Sequence, residues 1–261
     1  MKKTTPYKDI NKILGSFEKG LLGIFGNNLI GLYLTGSLSC SDFNPGSSDI
    51  DLVAILNKPA TPDELKLVKQ LHFQIEKQNK KWAKRIECSY IPSDMLKNIL
   101  PPKTPRPYFG EGVFYPEATY GNEWLINNYL LYKQGITLLG KNFRKLVKPI
   151  DIVDVQKACI KDLFKEWQPK ITDPNYLNND HYQSYVVLNL CRILYTVICN
   201  SLASKKTSAS WVKKEYKQWN DLIQAAENWQ YGKKMSSKVK TIEFIKFVIN
   251  ESRIKTKNSK I

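Results

Sequence analysis

The sequence predicts an α/β N-terminal half joined to an all-α C-terminal half. Three short apolar runs, at 29–35, 50–56 and 85–91, read as strands and alternate with helical patterns at 7–25 and 61–80. Beyond Pro149-Ile150, the expected seam between domains 1–149 and 150–261, the pattern is helical throughout. A third observation bears on function. The stretch LTGSLSCSDFNPGSSDIDLV (34–53) sets Asp49 and Asp51 one residue apart at the start of the second run, where turn chemistry explains the glycines but not two like charges.

Each element has its own local warrant. Ile10, Ile13, Leu14, Phe17, Leu21 and Phe25 recur at helical spacing, and Gly26-Asn27-Asn28 ends that helix. LIGLYLT (29–35) is a buried strand, Gly36-Ser37 turns the chain, and IDLVAIL (50–56) is the second strand. Thr61-Pro62-Asp63-Glu64 carries a capping box and a proline at the first helical position, so a helix starts there and runs to about residue 80. RIECSYI (85–91) alternates: Ile86, Cys88 and Tyr90 share one face, Glu87 and Ser89 the other. Pro92-Ser93-Asp94 closes this strand and opens another helix, and residues 100–122, rich in Pro, Gly and aromatics, read as irregular. Helices are then expected at 123–138, 151–167, 182–200, near 208–229 and at 237–251, before a basic, frayed tail. The 182–200 helix is apolar nearly all round, which suits the centre of a bundle.

Composition narrows the function classes. Forty basic against 24 acidic side chains give a net charge of +16, and residues 201–261 hold fourteen of the former and five of the latter. That excess suits polyanionic partners, nucleic acid or nucleotide phosphates, although a lysine-rich soluble protein shows the same balance. The five cysteines form no CxxC pair and most sit in apolar patterns, as free thiols of a reducing cytosol do. With only His72 and His181 present, a zinc centre and a histidine-based triad are both poorly supplied. His72 lies in an apolar helical pattern and reads as packing. No secretory leader pattern follows the N-terminal MKKTTPYKD, and no run approaches the roughly 20 apolar residues of a membrane span. The expectation is a cytoplasmic protein.

The chemistry sits in the 34–53 stretch. On a strand, residues i and i+2 project side by side, so Asp49 and Asp51 repel each other unless a cation or a proton intervenes. Mg²⁺ takes oxygen ligands, commonly one or two carboxylates completed by water and substrate phosphates, so this pair is half of such a site. Gly36-Ser37 offers backbone N–H groups and a hydroxyl to a phosphate, and Ser48 can add another hydroxyl. Glu87 is the third acid. If its strand pairs beside 50–56 it reaches the aspartates, as a metal ligand or as a base for an attacking hydroxyl; otherwise it is an ordinary solvent-facing glutamate.

The constellation G-S-x(11)-D-x-D, with Glu87 in RIECSYI, resembles the DNA polymerase β-like nucleotidyltransferase superfamily. The C-terminal run YVVLNLCRILYTVICNSLASKKTSASW is similar to the helix and loop of the streptomycin/spectinomycin adenylyltransferases. The resemblance implies a nucleotidyltransferase domain with a mixed sheet and flanking helices, and a helical bundle that closes the nucleotide and substrate cleft. It implies that Asp49, Asp51 and Glu87 hold Mg²⁺, with Glu87 also the general base, and that Gly36, Ser37 and Ser48 meet the triphosphate of ATP. Arg192 and Lys205 would bind phosphates, Tyr231 would lie against the nucleotide, and Asp180 would contact the acceptor. The residues leave alternatives. An internal carboxylate would serve Arg192 equally well, Lys205 suits solvated surface, and Tyr231 suits a core.

The implied reaction is transfer of AMP from ATP to a hydroxyl of a small molecule of the aminoglycoside type, with release of pyrophosphate. Streptomycin-accepting members carry Trp where this sequence has Gly112, which favours spectinomycin. Acidic residues before the 182–200 helix are only partly matched, by Asp180 and Asp173. The alternative acceptor is RNA or a protein side chain, which the basic C-terminal quarter would suit.

Overall fold

A computed structural model describes residues 3–259, with side chains described as far as Lys255. The chain divides into two compact units, Met1–Phe43 with Ser48–Pro149, and Ile150–Ile261 with the loop Asn44–Ser47.

The first unit is a six-stranded mixed sheet flanked by helices, as the resemblance implies. Its elements are α1 (Lys8–Phe25), β1 (Leu29–Leu34), a single helical turn α2 (Gly36–Ser39), β2 (Ile50–Leu56), α3 (Pro62–Gln78), β3 (Ile86–Pro92), β4 (Arg106–Gly110), β5 (Val113–Ala118), α4 (Glu123–Gln134) and β6 (Ile136–Gly140). The sheet order is β5-β4-β3-β2-β1-β6. Only β2 and β3 run parallel, joined through α3; the other neighbours are antiparallel. The capping box at Thr61 and Glu64 is formed, which fixes where α3 begins.

Alternation along the central strands sends side chains to two different cores. On one face Leu32, Leu34, Leu52, Ala54, Ile86, Cys88 and Tyr90 pack with Ile10, Ile13, Phe17 and Leu21 of α1 and Val68 and Ile75 of α3. On the other, Tyr33, Ile55 and Ile91 pack with Trp124 and Leu131 of α4 and with Phe143. Asp51 and Glu87 belong to this second face, since each is separated from a member of that core by an even number of residues.

Three expectations change. The segment read as irregular, 100–122, holds the β4–β5 hairpin, closed by Glu111-Gly112 with φ of 54° and 77°. Positive φ at both positions is the tight turn that matches strand twist. The helix expected over 123–138 stops at Gln134, and Ile136–Gly140 instead pairs with β1 as an edge strand. Ser93–Lys97 is a 3₁₀ turn, not the start of a longer helix.

The second unit is all helical: α5 (Ile152–Asp162), α6 (Asp180–Cys199), α7 (Lys205–Glu215), α8 (Asn220–Asn228) and α9 (Lys238–Ser259). α6 is its buried centre, with Val186, Val187, Leu190, Cys191, Leu194 and Val197 fully enclosed. The helix expected over 151–167 leaves the α form at Asp162 and continues as a π-helical turn, Leu163–Trp167. The indole of Trp167 donates to Asp162 there at 2.7 Å. The region near 208–229 is two helices separated by a 3₁₀ turn at Lys217–Trp219. The basic tail is helical as far as Ser259, and its last two residues lie outside the described ones. Among the described residues no helix is long and apolar enough to cross a membrane. Among the described residues no disulfide is formed, and Cys88, Cys159 and Cys191 are buried.

Candidate active site

The first half of the site is made by β1, the turn after it and β2. Leu34 pairs with Leu52, and the Thr35 N–H donates to the Asp51 carbonyl at 3.0 Å. Gly36 follows at φ +63°, and a Cβ built on it would lie inside the Asp51 carboxylate. Both facts require glycine, because an L-residue strains at that φ and no side chain fits beneath Asp51. The Gly-Ser pair thus gives Asp51 its seat as well as turning the chain. Ser37 opens the α2 turn, and Ser39 Oγ closes it by donating to the Gly36 carbonyl at 2.8 Å.

Asp49 stands just ahead of β2 and is partly buried beside Arg85, whose Nε lies 3.6 Å from Asp49 Oδ1. The same guanidinium donates to the Ser48 carbonyl and stacks on Trp82 at 4.8 Å. The Trp82 indole in turn donates to Asp9 at 2.8 Å. Arg85 is itself buried, so its charge acts on Asp49 with little screening. Reading the sequence did not single out Arg85. A signal was present: it stands two residues before Glu87 on an alternating strand.

The second half of the site is β3. Its parallel pairing with β2 sets Glu87 directly across from Asp51, the pairing on which a role for Glu87 depends. Burial, then the charges of Asp51 and Asp49, push the Glu87 carboxyl up to about 8; a hydrogen bond from Tyr108 opposes the rise. Tyr108 lies on β4, in the segment expected to be irregular, and its phenol is pushed well above the ordinary range by burial and by Glu87.

Among the described residues no three His, Cys, Asp or Glu side chains are arranged to hold a metal ion as they stand. Asp49 is engaged with Arg85 and Glu87 with Tyr108. The residues nevertheless fit a hard cation held by two carboxylates and substrate oxygens. The donors are all oxygen, Gly36 lets the backbone close up against the Asp51 carboxylate, and the Asp51 and Asp49 charges add to burial in raising the Glu87 carboxyl.

In the helical unit the expected residues are spread along α6, α7 and the loop before α9. Arg192 donates to Asn189 Oδ1 at 2.7 Å, so a neutral amide stands where an internal carboxylate was the alternative. Lys205 Nζ sits 4.2 Å from the Tyr185 ring centroid at the start of α7. Tyr231 is 39% exposed, packs on His181 and Trp229, and donates its N–H to the Gly46 carbonyl at 3.1 Å. It is not a core residue. One oxygen of Asp180 accepts from the backbone N–H groups of Met235 and Ser236, which holds its carboxyl below the usual range. That oxygen anchors a loop and leaves the other for a further partner.

Comparison with known proteins bears on the same two units. A nucleotidyltransferase domain family model matches residues 14–105, and the model of the aminoglycoside adenylyltransferase C-terminal domain matches 145–251. A spectinomycin 9-adenylyltransferase of Campylobacter jejuni is 26% identical over 78% of this chain and 77% of its own. The crystal structure of spectinomycin adenyltransferase AAD(9) from Enterococcus faecialis, with ATP and spectinomycin, shares the fold: its TM-score is 0.70 at 18% identity, covering 93% of this chain and 99% of that one. Residues 14–105 thus match a nucleotidyltransferase domain and residues 145–251 the C-terminal domain of the aminoglycoside adenylyltransferases, and this tandem, in this order along most of one chain, supports an adenylyltransferase, an enzyme that transfers AMP.

Proposed function

We propose that the protein is a Mg²⁺-dependent O-adenylyltransferase that moves AMP from ATP to a hydroxyl of an aminoglycoside-type small molecule, spectinomycin before streptomycin, and releases pyrophosphate. The observation that carries the reading is the cross-strand pairing of Glu87 with Asp51 beside the Gly36 seat. Three acids converge there although burial and mutual repulsion oppose it, an arrangement that a site for a cation and polyphosphate accounts for.

In this reading Ser37, Ser48 and the backbone of the Gly36 turn bind phosphate oxygens. Asp49 and Asp51 hold the cation, which when bound neutralises the charge developing on the transferred and leaving oxygens. Glu87 accepts the proton of the attacking hydroxyl, and its raised proton affinity suits that task near neutral pH. Arg85 holds Asp49 and the Ser48 carbonyl in place. The helical unit, residues 150–261, closes over the nucleotide and supplies Arg192 and Lys205 to its phosphates, Tyr231 to its face and Asp180 to the acceptor. Catalysis is then mostly positioning of the hydroxyl in line with the α-phosphorus.

Two observations support spectinomycin. Both relatives are spectinomycin adenylyltransferases by name. In addition, Gly112, which stands where streptomycin-accepting members carry Trp, is the second residue of the β4–β5 turn at φ +77°, a conformation that disfavours any side chain. The test is transfer of label from [α-³²P]ATP to spectinomycin, streptomycin and bulk tRNA, each with Mg²⁺ or with EDTA. The reading expects Mg²⁺-dependent labelling of spectinomycin; labelling of RNA alone would overturn it.

A further inference from the structure

One tyrosine near the acids has a position that ordinary packing does not account for. β3 and β4 run antiparallel with Ser89 opposite Tyr108 and Cys88 opposite Phe109. Continued by one residue, that register sets Gly110 across from Glu87. A Cβ built on Gly110 would collide with Tyr108, first with its hydroxyl oxygen and next with its ring. The place where a side chain facing Glu87 would stand is filled by the Tyr108 phenol, lying flat along its own strand. That places the hydroxyl on the Glu87 side of the sheet, where the two groups act on each other's proton affinity.

The ring is held there from its sides. The Arg106 guanidinium lies 5.2 Å from its centroid, and Arg106 is fixed by donating to the carbonyls of Ala118 and Thr119 at 3.1 and 2.6 Å. Tyr115 of β5 stacks at 6.1 Å with its plane within 23°. β1 uses the same arrangement for a structural end: Tyr33 lies over Gly31, and its hydroxyl donates to the Lys141 carbonyl at 2.6 Å. At Tyr108 the hydroxyl ends on a functional acid instead of a backbone carbonyl.

We infer that Tyr108, seated on Gly110, is a positioning residue for Glu87, orienting the carboxylate oxygen that receives the acceptor's proton. Glu87 alone would be free to swing about its side-chain torsions toward or away from the aspartates. A donor fixed on the neighbouring strand selects one orientation, with one oxygen bound to the phenol and the other presented to the acceptor.

The inference rests on Glu87 acting as the base, and the experiment separates the two claims. Single-turnover AMP transfer is measured for wild type, Tyr108→Phe, Gly110→Ala, Glu87→Gln and the double variant Glu87→Gln/Tyr108→Phe, each checked for folding by its thermal transition. Tyr108→Phe is expected to lower the transfer rate by about tenfold or more, with KM for ATP and acceptor within about twofold of wild type. Gly110→Ala, which evicts the phenol without removing it, is expected to do the same. In the Glu87→Gln background, loss of the hydroxyl is expected to cost nothing further, because no carboxylate remains to be oriented. An equal loss in both backgrounds would make Tyr108 merely structural and overturn the inference, as would a wild-type rate in Tyr108→Phe. Undiminished transfer by Glu87→Gln would instead remove the base itself.

Discussion

The two faces of β3 are one residue apart and behave oppositely. On one face Cys88 and Tyr90 are fully buried with His72, whose Nε2 lies 2.7 Å from the Tyr90 hydroxyl and whose ring stacks on Phe109 at 3.9 Å. Burial pushes the His72 imidazole down to about 3 and the Cys88 thiol up to about 12, so both stay neutral and inert at ordinary pH. On the other face Glu87 is also desolvated, but besides the neutral Tyr108 phenol it meets two further carboxylates, and its proton affinity rises to about 8. Burial beside neutral groups withdraws a residue from chemistry; burial beside like charges brings one into the working pH range.

The comparison breaks first if the acids are dispersed. Asp51→Asn removes the charge across the sheet from Glu87 and one proposed cation ligand. The lost electrostatic stabilisation is several kcal/mol, so transfer should fall by at least ~10³-fold while the thermal transition persists. Retained transfer in a label assay would show that Asp51 is dispensable.

A smaller loss is expected from Gly36→Ala, which leaves every acid in place but drives a methyl group into the Asp51 carboxylate. Misplacement on the ångström scale costs about 10²-fold in rate. The strained backbone should also destabilise the fold by about 1 kcal/mol or more, read as a lower denaturation midpoint.

On the opposite face the expectation inverts. Tyr90→Phe removes the partner of a buried His72 nitrogen and should destabilise the protein by about 1–3 kcal/mol, while kcat/KM stays within about twofold. A catalytic defect without a stability defect would mean that the two faces are not independent.

The most delicate test is the pH dependence of unfolding in EDTA. Glu87 has a folded-state affinity raised from 4.5 to about 8, so the folded protein binds more protons in that window and loses stability as pH rises through it. His72 is lowered from 6.5 to about 3, so its contribution is present above 6.5 and is lost as pH falls toward 3. The stability advantage of Glu87→Gln over wild type should therefore widen between about pH 4.5 and 8. An advantage that is flat with pH would show that Glu87 is not held among like charges.

Much of this arrangement was legible in the sequence where local rules are strong. The capping box at Thr61-Glu64, the alternation of RIECSYI and the apolar surround of α6 each translate directly into the structure. The hairpin at 106–118 was not legible, because Pro, Gly and aromatics suit a loop as well as a tight β-turn, and only pairing with β3 decides. β6 was missed because Leu138 and Leu139 continue an apolar run beyond Gly135, and its strand form depends on the free edge of β1. The acids were legible as residue types at a spacing. Arg85 and Tyr108 were not, since the partners that give them meaning lie 36 and 21 residues away along the chain, through a loop beside β2 and the antiparallel β3–β4 pairing.

The account rests on Glu87 as the group that takes the acceptor's proton. The direct measurement is single-turnover AMP transfer by Glu87→Gln saturated with ATP, Mg²⁺ and acceptor, alongside its ATP affinity by calorimetry. The predicted result is a rate lower by about 10²–10⁴-fold with nucleotide affinity preserved. A rate equal to that of wild type would contradict it.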